Sequence, residues 1–203
     1  MFWGTSSTQF IPWLSTAWSD VVKGILPLWN AHNGMGAPLI ANYQLAFYYP
    51  PIWLTFIGYL LEGNQGLATS AFLLVYLHVF WAGLGMVLLS RKLEMKPMAQ
   101  MISGLAFALS GSLIARLNFF SMIWAIAWIP WIMLIGLKII QSFPDMDDAS
   151  SKALDRNQIK HYLLFIIVIA MQLLAGHAQV TWYSFLLTLA WMGFWGWQKG
   201  CLK

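Results

Sequence analysis

The sequence predicts an all-α polytopic membrane protein, with five transmembrane helices that follow an N-terminal extracytoplasmic amphipathic helix and an ordered loop. Three observations lead to this prediction. Of the 203 residues, 60% are hydrophobic and only 9% are charged, whereas soluble domains carry roughly 25% charged residues. Long apolar runs recur after residue 65. The basic residues between these runs fall mainly on one side of the resulting topology, as the positive-inside rule requires.

Residues 1–65 form the first predicted region, an extracytoplasmic loop with interfacial helices. The stretch TQFIPWLSTAWSDVVKGI has apolar residues at helical spacing and Pro12 in its first turn, which predicts an amphipathic helix. Trp13 and Trp18 indicate that this helix lies flat at the membrane surface. Residues 51–61 are too few to cross a bilayer, which takes ~20 residues, so they predict a short interfacial or re-entrant helix.

Residues 66–203 form the second region, the five-helix transmembrane part. Its apolar runs approach the length of a bilayer crossing, and Pro130 predicts a kink in the third. The predicted spans are 66–90, 97–115, 121–140, 162–175 and 180–197. Small residues in AGLGM and GLAFALSGS predict close packing between the first two spans. The last two spans form a hairpin that turns at Gly176, within GHAQ.

Nine of the eleven basic residues lie on one side of this topology, which predicts that this side is cytoplasmic. They are Arg91, Lys92, Lys96, Lys138, Lys152, Arg156, Lys160, Lys199 and Lys203. The C-terminus is then cytoplasmic, and the N-terminal loop lies outside. The basic residues are scattered beside apolar spans and form no patch, so we expect the lipid bilayer as a partner and no nucleic acid.

The sequence gives no indication of a metal or another cofactor. The only cysteine is Cys201, which excludes a disulfide within the chain and a cysteine-based metal site. The polar stretch 141–160 contains Asp145, Asp147 and Asp148, but it lacks the rest of a calcium-binding EF-hand loop. We therefore interpret 141–160 as a solvated surface loop.

The topology places a set of polar side chains on the outer face, where we expect any binding site. Arg116 is either an anchor at the membrane surface or a site for a phosphate, whose oxygens its planar guanidinium can bind in pairs. His177 either caps a turn or contacts a ligand. His78, within the first span, is either functional or a neutral side chain bonded to a neighbouring helix. The other candidates for substrate binding are Asn42, Gln44, Tyr48, Asn118 and Gln179.

Several segments resemble the YfhO-type family of bacterial membrane proteins. GILPLWNAHNGMGAPLIANYQLAFYYPPIWL is similar to the outer loop of that family, and TQFIPW to the beginning of the loop. ISGLAFALSGSLIARLNFFSMIWAIAWIPWIMLIGLKII and QLLAGHAQVTWYSFLL resemble later segments, in the same order. The resemblance covers nearly the whole chain.

This resemblance implies a glycosyltransferase of the GT-C type in the bacterial inner membrane. Such an enzyme transfers a sugar from a polyprenyl-phosphate carrier to a cell-envelope acceptor on the extracytoplasmic side. An aspartate in the first outer loop of the family generally acts as the base. Asp20 is the only acidic residue before Glu62 here, so it is a weak candidate for that role, the alternative being a solvated charge on the polar helix face.

The chain departs from the family pattern in three respects. It lacks the transmembrane helix that precedes the outer loop, the acidic residue expected near MFWGTSS, and the further spans that follow the fifth. We therefore expect it to be part of a larger membrane protein, and inactive alone if truncated. The second hypothesis from the sequence is a non-catalytic integral membrane subunit or a transporter-like module.

Overall fold

A computed structural model describes residues 4–143 and 156–199 of the chain. These residues are mostly helical, which confirms the all-α class. The helices are α1 (Ile11–Val22), α2 (Trp53–Lys92), α3 (Pro97–Ala108), α4 (Gly111–Ile114), α5 (Phe120–Ile126), α6 (Ile129–Ser142), α7 (Arg156–Leu174) and α8 (Ala178–Gln198). Strands β1 (Trp29–Asn30) and β2 (Ala37–Pro38) pair antiparallel. Most of the predicted loop 141–160, including its acidic residues, and Cys201 lie outside the described residues.

Four helical stretches in the described residues are long and apolar enough to cross a membrane. They are Pro50–Lys92, Pro97–Ile114, Phe120–Ser142 and Arg156–Leu174, which correspond to the first four predicted spans. The residues of the fifth predicted span, 180–197, form helix α8, which has 21 residues and no Asp, Glu, Lys or Arg. This helix is not among the four stretches, so the fifth span stays a prediction.

Helix α2 consists of two arms, 53–61 and 64–92, because the chain reverses between them. Glu62 (φ −136°, ψ 20°) and Gly63 (φ 60°, ψ −138°) are not helical. A Cβ added to Gly66 would lie 2.2 Å from the carbonyl oxygen of Gly58, although eight residues of continuous helix span about 12 Å. The arms therefore pack side by side. The short helix predicted at 51–61 is present, and it folds back on the first span.

Helix α1 is present where the amphipathic pattern predicts it, but one of its tryptophans has another role. The Trp18 side chain is fully buried, and its Nε1 donates a hydrogen bond of 3.0 Å to Oγ1 of Thr55 in the first arm of α2. The expectation that Trp18 anchors α1 at the membrane surface is therefore wrong. The apolar face of α1 packs on the protein, which an amphipathic pattern alone does not distinguish from packing on lipid.

The second and third predicted spans are both interrupted. The 97–115 span divides at Leu109 and Ser110, and Ser110 begins the short α4 by accepting a hydrogen bond from the Leu113 N–H. The 121–140 span divides between α5 and α6, at Ala127 and Trp128, just before Pro130. Proline is tolerated in the first turn of a helix but not in its interior, so a new helix begins just before Pro130. The kink predicted at Pro130 is therefore present as a break between α5 and α6.

Helices α2 and α3 pack closely through small residues, as the sequence predicts. A Cβ added to Gly104 would lie 3.0 Å from the carbonyl oxygen of Gly83 and 2.4 Å from a methyl carbon of Val87. Near the connection between the two helices the hydroxyls of Ser90 and Ser103 are 2.6 Å apart. Glycines that let two helices approach closely and a hydrogen bond between two hydroxyls are both typical of helix packing inside a membrane.

The largest fully buried side chains are aromatic, and they join the N-terminal region to the helices. Phe10 stacks on Phe120 with ring centroids 5.3 Å apart, and Phe120 lies 5.9 Å from Trp124. Trp124 in turn stacks on Tyr49 of the outer loop at 6.1 Å. This cluster makes the N-terminal region and the loop parts of one core with α2 and α5.

Replacing Gly66 by Ala tests the reversal in α2. The added methyl group would overlap the Gly58 carbonyl, so we expect Gly66→Ala to lower the free energy of unfolding by about 1–3 kcal/mol. Gly193→Ala is the matched control, because nothing lies within 4 Å of the added Cβ in α8. Thermal unfolding in detergent should show a lower Tm for Gly66→Ala only; equal Tm values for both variants would contradict the paired arms.

Candidate functional site

The outer loop packs directly on the GHAQ turn between α7 and α8. Gly176 has φ +84°, and a Cβ added there would lie 2.4 Å from the carbonyl oxygen of Tyr43 and 3.2 Å from Cβ of Ala46. The Tyr43 hydroxyl donates a hydrogen bond to the Leu173 carbonyl at the end of α7. Glycine is therefore required at 176 for both its backbone angle and its lack of a side chain. The structure brings two sequence-predicted groups of polar residues together here.

Asn42 and Gln44 are held by hydrogen bonds within the N-terminal region. The Asn42 side chain accepts a bond of 3.1 Å from the Gln44 N–H and so begins the short 3₁₀ helix Tyr43–Leu45. The Gln44 side-chain oxygen accepts a bond of 3.0 Å from Nε2 of Gln9, just before α1. These contacts fix the loop conformation. They leave the Gln44 amide nitrogen as a donor for a ligand.

His177 caps helix α8. Its Nδ1 accepts a hydrogen bond of 3.2 Å from the Val180 N–H, and its carbonyl accepts one from the Thr181 hydroxyl. Partial burial lowers the pKa of His177, because the charged form is less well solvated there. The neutral side chain is the one that can accept the capping bond. The structure therefore shows the capping role, and contact between His177 and a ligand stays a prediction.

Gln179 and Tyr48 lie exposed on this side of the protein. Nε2 of Gln179 donates a hydrogen bond of 3.2 Å to the hydroxyl of Tyr183, one turn further along α8. The Tyr48 side chain is 65% exposed, and its ring packs edge-on against Phe47. Burial raises the pKa of the nearby Tyr43, so its hydroxyl remains a donor at neutral pH.

Arg116 and Asn118 lie in the turn between α4 and α5, and each has its own contacts. The Arg116 guanidinium is exposed and donates to the carbonyl oxygen (3.1 Å) and the hydroxyl (2.6 Å) of Ser112. The Asn118 side chain accepts a bond of 3.3 Å from the hydroxyl of Ser6. The π-helical turn Ser6–Phe10 thereby links this turn to the outer loop, since it also contains Gln9.

Asp20 lies near the end of α1, and its side chain is partly exposed. Its backbone carbonyl accepts hydrogen bonds from the N–H groups of Lys23 and Ile25, which end the helix. The structure thus gives Asp20 a backbone role in the turn after α1. Its carboxylate enters none of the side-chain hydrogen bonds that hold Gln44, Asn118 or His177 in place.

Tyr49 is the central side chain that sequence reasoning missed. It is fully buried, and its hydroxyl lies 2.5 Å from Nε2 of His78 and 2.9 Å from the indole Nε1 of Trp128. Nδ1 of His78 lies 2.7 Å from the Leu74 carbonyl, which can only accept, so Nδ1 is the donor. Burial favours the neutral imidazole, in which Nε2 accepts from the Tyr49 hydroxyl. In the sequence, the only indication of this network is His78, an isolated histidine within an apolar span.

An apolar groove of about 480 Å³ lies beneath the docked loop, between α6, α7 and α8. Apolar side chains line most of it: Ile132, Phe165, Ile169, Leu173, Trp182, Phe185, Leu189 and Met192. Tyr43 lies at its loop end. Ser184 is 2% exposed, and its hydroxyl has no hydrogen-bond partner in the described part of the chain. The walls of the groove are therefore mainly hydrocarbon, and the Ser184 hydroxyl is buried within one wall.

Within residues 4–143 and 156–199, no cluster of three or more His, Cys, Asp or Glu side chains could hold a metal ion. Comparison with protein-family models, with curated proteins and with solved structures found no match for the chain. The interpretation of the site therefore depends on its own geometry.

Tyr49→Phe tests the buried hydrogen-bond network. Removing the hydroxyl leaves Nε2 of His78 and Nε1 of Trp128 unpaired in the core, so we expect a loss of about 1–3 kcal/mol in the free energy of unfolding. Tyr48→Phe is the matched control, because that ring is exposed. Detergent unfolding should separate the two variants, and equal stability of Tyr49→Phe and the native protein would contradict the network.

His177→Asn tests the cap and its pH dependence. The pKa of His177 is lowered on folding, so its contribution to stability is complete above pH 6.5 and decreases as the pH falls towards the folded-state pKa. Asparagine caps without titrating, so His177→Asn should retain the stability at pH 8 and lose less of it on acidification. His177→Ala should lose about 1 kcal/mol at pH 8. Parallel pH–stability curves for native protein and His177→Asn would contradict this assignment.

Proposed function

We propose that the chain is the membrane part of a GT-C-type glycosyltransferase, which transfers a sugar from a polyprenyl-phosphate carrier to a cell-envelope acceptor. The proposal combines the resemblance to the YfhO-type family with one structural observation. That observation is the apolar groove that begins beneath the docked outer loop, with Tyr43 belonging to both. A lipid-linked sugar needs a hydrocarbon-lined groove whose end meets a polar surface, because its two parts differ in polarity.

The proposed function requires that the N-terminal loop lies on the extracytoplasmic side of the membrane. Helix α8 is the fifth span, since its 21 uncharged residues are long enough to cross the hydrocarbon core. The N-terminal loop and the turns at Arg116 and Gly176 then face outward, and the C-terminus is cytoplasmic. This places the chain in the inner membrane of a bacterium, with the remaining part of a larger membrane protein as a further partner.

The candidate residues fall into two groups: those that contact the substrate and those whose side chains are already held by the protein. Arg116 engages the carrier phosphate, because its guanidinium is exposed and held only by Ser112 on the preceding turn, from which it can turn towards an anion. Asn118, Tyr48 and Gln179 offer donors and acceptors to sugar hydroxyls. The other three candidates, Asn42, Gln44 and His177, shape the surface that these contacts share.

Asp20 remains the candidate base of this proposal. A carboxylate would accept the proton of the acceptor hydroxyl as the sugar is transferred, while Arg116 balances the charge on the departing phosphate. Either the guanidinium or a divalent metal ion can supply that charge.

A non-catalytic membrane subunit or transporter-like module is the second candidate. The observation that favours it is that each of four polar side chains on this face bonds to a protein group: Gln9, Asn42, Gln44 and His177. Hydrogen bonds of this kind are typical of side chains that stabilise a turn rather than bind a substrate. In this case the groove would take a lipid or a partner helix without chemistry, and envelope glycosylation would not depend on Arg116.

Arg116→Ala in the full-length protein tests the enzyme hypothesis. Loss of a charged hydrogen-bond donor to phosphate removes about 1.5–3 kcal/mol, which corresponds to roughly a 10- to 150-fold lower rate of sugar transfer. The assay measures transfer of labelled sugar from polyprenyl phosphate to the envelope acceptor in membrane vesicles. Ser112→Ala is the matched control, because it removes only the intramolecular partner of Arg116.

We expect Ser112→Ala to retain transfer, and both variants to retain the native Tm. Undiminished transfer by Arg116→Ala at native Tm would refute the phosphate-binding role. If His177→Ala also leaves transfer intact, the non-catalytic module becomes the better description.

A further inference from the structure

The segment 22–35 of the outer loop exposes an unusual number of large apolar side chains. They are Val22, Ile25, Leu26, Leu28, Trp29 and Met35, each with more than half of its surface exposed. The Met35 side chain is fully exposed, at 103%. Scattered apolar residues are normal on a protein surface, but six within fourteen residues form an apolar patch that requires a partner.

The backbone of segment 22–35 is ordered by local contacts, so its exposed side chains are held in place. Trp29 pairs with Pro38 in the two-stranded sheet, and its indole covers Gly36. Gly36 has φ +95°, and a Cβ there would lie 2.3 Å from Nε1 of Trp29. The segment is anchored by Leu39, which is buried and whose N–H donates to the Leu28 carbonyl at 2.9 Å.

The charge of this region suits a lipid surface. Residues 21–61 contain no Asp or Glu, and Lys23 is the one formally charged residue among them. The Lys23 side chain is exposed next to the apolar patch. Its long alkyl stem can lie along hydrocarbon while its ammonium group reaches the phosphates of the headgroups.

The outer loop is also fixed to the membrane part of the chain. It ends at Tyr49, whose hydroxyl bonds to His78 within the apolar stretch Pro50–Lys92. The first arm of α2 continues directly from the loop and exposes further apolar side chains, including Leu54 and Ile57. The loop that contains segment 22–35 thus leads directly into a helical stretch that is apolar enough to cross a membrane.

We propose that segment 22–35 inserts its apolar side chains into the adjacent leaflet of the bilayer, at the boundary between headgroups and acyl chains. Its partner is the lipid surface itself, penetrated to roughly 5–10 Å. This membrane contact does not depend on the glycosyl-transfer proposal, because it uses none of the residues assigned there.

Site-specific labelling in proteoliposomes tests the insertion. In a Cys201→Ser background, Met35→Cys and Leu26→Cys each receive an environment-sensitive fluorophore such as NBD. Gln65→Cys is the matched control, because Gln65 is an exposed polar residue next to the reversal in α2. Vesicles contain phosphatidylcholine and phosphatidylglycerol, with or without lipids that carry a doxyl quencher near the top of the acyl chain.

We expect labels at 26 and 35 to emit at shorter wavelength and to be quenched at least twofold more by doxyl lipid than the label at 65. Iodide in the buffer should quench the label at 65 preferentially. If iodide quenches all three positions equally, the segment faces water and the proposal is overturned. If the labels at 26 and 35 are shielded from iodide but are not quenched by doxyl lipid, a protein covers the patch, and the lipid partner is refuted. Disulfide-linked dimers of Met35→Cys would then identify that protein as a second copy of the chain.

Discussion

The hydrogen bonds of Tyr49 are the constraint on which the arrangement of the outer face depends. One hydroxyl donates to His78 on the second arm of α2 and accepts from Trp128, between α5 and α6. All three side chains lie in the core, where an unpaired polar group is costly, so removing any one of them leaves another unsatisfied. Burial raises the pKa of the Tyr49 phenol, which keeps its proton available for His78. The network thus fixes the end of the outer loop against two spans.

The position of Tyr49 determines where the preceding loop can go. Only two residues separate it from Ala46, which lies against the turn at Gly176 and itself adopts a left-handed conformation (φ 53°). Tyr43 then reaches Leu173 at the end of α7. The loop is therefore held at α2, at the α5–α6 junction and at the α7–α8 turn. Because these contacts are made to different helices, the loop also fixes those helices relative to one another at this end of the bundle.

The sequence predicts what is encoded locally and misses what depends on distant pairs. The length of the apolar runs identifies the four candidate spans, and the glycine in GHAQ marks the turn between α7 and α8. Both features can be recognised within one continuous stretch of sequence. The pairing of Tyr49 with His78 joins residues 29 positions apart and leaves no local pattern. Trp18 shows a different limit: periodicity identifies the apolar face of α1, but not whether protein or lipid covers it. For the site, composition and topology select the outer-face residues, whereas only the structure distinguishes those with internal partners from those without.

That distinction determines what the outer face can bind. A side chain that already has a good partner must break that contact to bind a ligand, so its net contribution to affinity is small. His177 and Asn42 are in this position, because each caps the start of a helix. Arg116 is not, since its exposed guanidinium can exchange Ser112 for an anion. An anionic group therefore has most to gain at Arg116, and an apolar group has most to gain in the groove, whichever reaction follows.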